Sequence, residues 1–177
     1  MRCTRFAASS FLAVAVLVAV PRVAKAQEGE YDGVAMEQNR GLKIGIGPTL
    51  LLPLRGDGPY GGGLTLDGRY GIQAGPTVIA PGGRVAGYVI SGRGVGVVMP
   101  TARLTLPVGP LAPYLLGGIG VGGLTNDSES GLALLGGGGL MIHIGRVFAF
   151  GAEATYQAIT GTEMKTVTIT PAIAFGG

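Results

Sequence analysis

From Gly41 onward, apolar side chains recur at every second position in one segment after another. Leu42, Ile44 and Ile46 alternate with Lys43, Gly45 and Gly47. Leu64, Leu66, Tyr70, Ile72 and Ala74 share one face, and Thr65, Asp67, Arg69 and Gln73 share the other. Phe148, Phe150, Ala152, Ala154 and Tyr156 oppose Ala149, Gly151, Glu153, Thr155 and Gln157. Strand side chains point alternately to two faces, so a period of two predicts strands with one apolar and one mixed face. No segment gives a convincing helix. The longest uncharged run, Leu104 to Asn126, contains Pro107, Pro110, Pro113 and a glycine-rich stretch from Gly117 to Gly123. Each interior proline costs a helix about 3 kcal/mol and each glycine about 1 kcal/mol, so this run reads as strand, turn, strand.

Turn chemistry divides residues 41–177 into eight predicted strands. The breaks fall at Pro53–Tyr60, Gly75-Pro76, Ser91–Gly94, Pro107–Pro113, Thr125–Ser130, Gly145-Arg146 and Thr160–Met164. Thr77–Ile90 is interrupted by Pro81-Gly82-Gly83, and the last strand alternates Val167, Ile169, Ile173 and Phe175 with Thr166, Thr168, Thr170, Ala172 and Ala174. An even number of strands of about 9–11 residues is what a closed, up-and-down membrane barrel requires. The predicted fold class is therefore all-β, an eight-stranded antiparallel up-and-down transmembrane β-barrel.

The first 26 residues read as a signal peptide. Arg2 and Arg5 form a basic start, Phe6–Val20 an apolar stretch, and Ala24-Lys25-Ala26 a cleavage site, so export with cleavage after Ala26 is expected. Thirteen basic and ten acidic residues give the whole chain a charge of +3, but four of the basic residues lie in this segment. The remainder is close to neutral, which removes the electrostatic case for nucleic-acid binding. Cys3 lies there too, leaving no thiol for a disulfide, nucleophile or metal site. Residues 27–40 carry Glu28, Glu30, Asp32 and Glu37 without apolar periodicity and read as a flexible acidic tail.

Alternation alone does not say which face is inside. Lys43, Asp67, Arg69, Arg103, Glu153 and Gln157 all fall opposite the apolar side chains. A soluble barrel needs a charged exterior, and these strands supply about one charge each. Many of the 35 glycines also oppose the apolar residues. Small residues suit the narrow interior of an eight-stranded barrel, whereas a soluble core built on them would lose contacts. The six polar residues are therefore assigned to a lumenal network, with Glu153 able to pair with Arg69 or Arg103. Tyr60, Tyr114, Phe148, Phe175 and Tyr31 lie near strand ends, where aromatic girdles sit, while Tyr70, Tyr88, Phe150 and Tyr156 do not follow that rule.

Ala102–Gly122 (ARLTLPVGPLAPYLLGGIGVG) resembles the strand–turn–strand of small outer-membrane β-barrel proteins of the OmpA/opacity type. Leu140–Gln157 is similar to their penultimate hairpin, and TVTITPAIAF resembles their C-terminal assembly signal. In that signal Phe175 takes the aromatic place, Ile173 the apolar place and Thr168 the polar place. Thr170 stands where glycine is usual, and Gly176-Gly177 follow the aromatic. The resemblance implies an outer-membrane location in a Gram-negative-type envelope, contact with outer-membrane lipid and the barrel-assembly machinery, and a monomer.

Catalytic and cofactor motifs are not found. Some barrels of this kind modify lipid A, and one deacylase type uses His-x-Ser with a carboxylate; here Gly145 follows His143 by two. Gly136–Gly139 is not followed by the Lys-Ser/Thr of a phosphate loop, and TNDSES lacks the spacing of a calcium loop. No catalytic residue, metal or cofactor is expected. The function predicted is a structural or surface-interaction barrel with a side-chain-filled lumen. The rivals are a small pore or transporter, and a soluble periplasmic barrel holding an apolar ligand.

Overall fold

A computed structural model describes residues 36–54, 60–125, 129–144 and 147–176. Eight antiparallel strands follow the chain in order and close into a barrel. They are β1 (Gly41–Pro53), β2 (Gly61–Ala74), β3 (Thr77–Ile90), β4 (Arg93–Thr105), β5 (Leu111–Leu124), β6 (Ser130–Ile144), β7 (Phe148–Ile159) and β8 (Lys165–Phe175). The fold is the one predicted. Pro81-Gly82-Gly83 does not interrupt β3, whose pairing with β4 continues through all three residues. Pro113 lies inside β5 instead of in the preceding turn.

The turns show why the breaks fall where they do. Ser91 and Gly92 have φ of 50° and 78°, the left-handed pair that a two-residue hairpin turn requires. Gly109 has φ 57° between Val108 and Leu111, which bond each other reciprocally at 2.7 and 3.1 Å.

Register is constant along every strand pair, so inside and outside never exchange. Perpendicular to the strands, the pairing runs from Ile44 through Gly68, Gly83, Pro100, Ile119, Leu134, Ala158 and Lys165. Extending the β1–β8 register by one residue brings it back at residue 54, just past β1 and ten residues beyond its start. Such a stagger belongs to strongly tilted strands, typically about 35–45°. It also juxtaposes lumenal residues from non-adjacent strands.

Outward positions carry leucine, isoleucine, valine, phenylalanine, tyrosine, alanine, proline and glycine, with Thr77 and Ser130 at strand ends. Leu42, Ile44, Leu66, Val98, Leu115, Ile119, Val121 and Ile173 are exposed. Lys165, at a strand end, is the one charged residue on the outward face of a described strand. Inward positions hold Lys43, Arg84, Arg103, Glu153, Gln157 and a set of threonines, all buried.

The seam between β1 and β8 is the least continuous. Ile44–Ile46 pair with Ile173–Phe175, and pairing resumes at Leu50–Pro53 with Thr166–Ile169. Pro48 faces Pro171 in the gap, and neither has an N–H to give the ladder. Residues 36–39, assigned by sequence to the solvated tail, are helical, and Gln38 is buried at the adjacent mouth. Residues 1–35, including the signal peptide and its cleavage site, lie outside the described residues.

Candidate functional site

The lumen has three levels. The first is apolar and lies at the end away from the start of β1 and the end of β8. Leu51, Val95, Val97, Ala133, Ile159 and Met164 are buried together, with Ile90 and Leu124 against them. They come from the last residues of strands arriving at that end and from the first residues of, or just before, strands departing from it, so a hydrophobic stopper crosses the bore.

The middle level is built around Glu153 of β7. Arg84 of β3 donates from both terminal nitrogens, Nη1 to Oε1 at 2.7 Å and Nη2 to Oε2 at 3.0 Å. Oε2 also accepts from the Tyr114 hydroxyl at 3.1 Å and from Arg103 Nη2 at 3.4 Å. The Arg103 guanidinium lies over the Tyr114 ring, 3.9 Å from its centroid. Room for that ring comes from Gly139, where an added Cβ would sit 2.6 Å from the hydroxyl oxygen. A buried carboxylate needs several donors, and here three other strands supply them.

Hydroxyls and an amide complete this level. Tyr88 donates to Gln157 Oε1 at 3.0 Å. Thr49 bonds Thr65 at 2.8 Å and Thr170 at 2.9 Å, joining β2, β1 and β8. Thr155 and Thr168 approach to 2.6 Å between β7 and β8.

The third level lies at the start of β1 and the end of β8. Asp67 and Arg69 pair at 2.7 Å on β2, and Lys43 of β1 donates from Nζ to the carbonyl of Gly176. His143 lines the same mouth with Lys43 and Arg69. The crevice between them is about 10 Å³, the room of a single water.

All six residues assigned by sequence to a lumenal network thus point inward, but they divide into two groups. Glu153 and Arg103 meet in the middle level, where Gln157 bonds Tyr88 instead, whereas Lys43, Asp67 and Arg69 lie near the mouth. Arg69 does not reach Glu153 and bonds Asp67 instead. Arg84, the strongest partner of Glu153, was missed because the Pro-Gly-Gly before it hides the alternation. Its parity with Ala86 and Tyr88 was the available signal. Tyr114 and Tyr88 are buried in the lumen, so Tyr114 is no girdle residue. Tyr60 and Phe175 are exposed, and Phe175 meets Phe148 with ring centroids 5.5 Å apart. Tyr31 lies outside the described residues. Of the C-terminal residues, Ile173 and Phe175 face outward and Thr168 faces the lumen. Among the described residues no group of three or more His, Cys, Asp or Glu side chains converges.

Solved structures give the comparison. Neisserial surface protein A aligns with a TM-score of 0.56 and 10% identity, over 76% of this chain and 94% of that one. The attachment invasion locus protein Ail of Yersinia pestis aligns at 0.51 and 17%, over 77% and 98%. The outer membrane enzyme PagL aligns at 0.50 and 14%, over 76% and 96%. The chain has the fold of the small eight-stranded outer-membrane β-barrels. At these identities the likeness concerns the fold. No family model and no curated protein sequence matches the chain.

Proposed function

We propose that this protein is an outer-membrane barrel that does not conduct, and that it acts through its ends and its place in the membrane. The observation that carries this reading is the inversion of the barrel. Charged and hydrogen-bonding side chains are inside, while a continuous aliphatic surface is outside. Soluble monomers rarely expose apolar patches beyond a few hundred Å², so an exterior of this kind calls for lipid.

Closure rests on two barriers in series. The stopper around Leu51, Val97 and Ile159 presents water with a hydrophobic constriction. Behind it, the Glu153 cluster ties β3, β4, β5 and β7 across the bore. Outer-membrane lipid, a monomeric state and the barrel-assembly machinery are the partners that fit. Thr168, Ile173 and Phe175 are the residues proposed for recognition by that machinery. A structural or surface-interaction role accords with two aligned proteins described as an attachment invasion locus protein and a surface protein.

Because PagL is described as an outer membrane enzyme, catalysis is the second reading to test. The His143 imidazole makes no hydrogen bond to a hydroxyl or carboxylate among the described residues, and it shares its mouth with two cations. We therefore read the protein as non-enzymatic.

Fractionation and planar-bilayer recording test the proposal. The protein is expected to require detergent for extraction and to give no large, stable single-channel steps. Release with soluble periplasmic contents would overturn the membrane reading, and steady conductance would overturn closure. A change in lipid A acyl chains that disappears with His143→Ala would establish the enzymatic alternative.

A further inference from the structure

We propose that the mouth of the lumen at the start of β1 and the end of β8 is a binding site for a small monovalent anion of halide size, held by Lys43 and Arg69. Lys43 and Arg69 occupy directly opposed positions on β1 and β2, both facing inward. Like charges placed opposite each other across two strands are destabilising. Lys43 is buried, at 6% exposed, and the Arg69 side chain is largely covered, at 11%.

The carboxylates on hand do not balance them. Asp67 is taken by Arg69 at 2.7 Å, and Glu153 by Arg84 and Arg103. Lys43 donates to a neutral carbonyl, that of Gly176, and forms no ion pair among the described residues. Glu37 on the adjacent helical turn is exposed and forms no ion pair there either. The described lumen therefore holds four cations, Lys43, Arg69, Arg84 and Arg103, against two carboxylates, Asp67 and Glu153. Burying unmatched charge costs several kcal/mol per ion, and a bound anion relieves it.

The donors for such an ion are present. An ammonium has three N–H groups and Lys43 uses one on Gly176, while a guanidinium has five and Arg69 shares a terminal nitrogen with Asp67. Gln38, Asn39 and His143 add polar lining, and Ala149 and Ala174 are among the apolar residues that complete the crevice. Its volume of about 10 Å³, about the room of one water, favours a small ion over a larger one. The site lies at one mouth, apart from the stopper and the Glu153 cluster, and does not depend on the protein's role.

The test uses the full protein purified in detergent, with thermal unfolding followed at matched ionic strength in chloride, bromide, gluconate and phosphate. Chloride and bromide are expected to raise Tm by about 2 °C or more over gluconate, because an ion that binds the folded state alone stabilises it. Lys43→Met is expected to lose this response and Lys43→Arg to keep it. Bromide soaked into crystals should give an anomalous peak between Lys43 and Arg69. Equal Tm in chloride and gluconate, a full response in Lys43→Met, or bromide bound elsewhere would overturn the site. Greater stabilisation by phosphate than by chloride would overturn the size class. If Lys43→Met does not fold, the bromide position in the unaltered protein decides.

Discussion

Glu153 is the residue whose loss the barrel should feel most. Its carboxylate takes both terminal nitrogens of Arg84 at 2.7 and 3.0 Å and the Tyr114 hydroxyl at 3.1 Å. Arg103, at 3.4 Å, adds a longer contact. Glu153→Ala removes the acceptor these groups share and leaves two guanidiniums buried near each other. Deleting one partner of a buried charge pair costs about 3–5 kcal/mol. That is about a hundred- to a few-thousand-fold in the unfolding equilibrium, at about 1.4 kcal/mol per tenfold. Glu153→Gln keeps one acceptor oxygen but turns an amide N–H₂ toward N–H donors, so its loss should sit at the low end of that range. Replacing Arg84 and Glu153 together by methionine should recover part of the deficit, because a buried pair exchanged for apolar volume is often nearly neutral. Urea titration of protein refolded into lipid vesicles, read by tyrosine fluorescence and by the mobility of unheated samples on gels, supplies the measurement. A Glu153→Gln barrel within about 1 kcal/mol of the parent would refute the reasoning, since the cluster would then be contributing only what an exposed pair does.

Three further outcomes follow from the same geometry. Gly139→Val should destabilise the barrel by about 1–3 kcal/mol through overlap with Tyr114, while outward Gly136→Ala on the same strand, with no atom within 4 Å of the added Cβ, should be close to neutral in the same titration. Ile119→Arg, near the middle of outward-facing β5, should cost about 2–4 kcal/mol in vesicles, a penalty that a water-facing residue would not show. Thr49→Val removes two buried hydroxyl contacts, at 2.8 and 2.9 Å, and should lower stability by about 1–3 kcal/mol, with Thr65→Val losing less.

The strands were legible because a period of two survives any uncertainty about partners. Lys43, Asp67, Arg69, Arg103, Glu153 and Gln157 could each be assigned to the inward face from parity within a single strand. Their pairing could not, because it depends on a stagger of ten residues that no local pattern records. That stagger sets Arg84 against Glu153 and leaves Arg69 with its own strand neighbour. Tyr114 shows the opposite failure. Its position near a strand end suggested an interface, although its parity with Leu116 already placed it inside. The helical turn at 36–39 has no periodic signal, being a single turn held at a mouth that only the closed barrel creates.

The facing prolines of the β1–β8 seam bear on how the chain survives before it closes. Seven of the eight strand interfaces join neighbours in sequence, but this one joins residues as far apart as Ile44 and Phe175. Its loop-closure entropy is the largest in the molecule, so it is expected to form last. Until then the curled sheet has two raw edges, each offering backbone groups to any passing strand. Pro48 and Pro171 interrupt those edges near their middles, where another chain would otherwise pair. The gap in the finished seam is then the trace of protection against aggregation during biogenesis. Light scattering after dilution from denaturant reads this directly: Pro48→Val with Pro171→Val should aggregate faster than the parent, and equal rates would mean the prolines guard nothing.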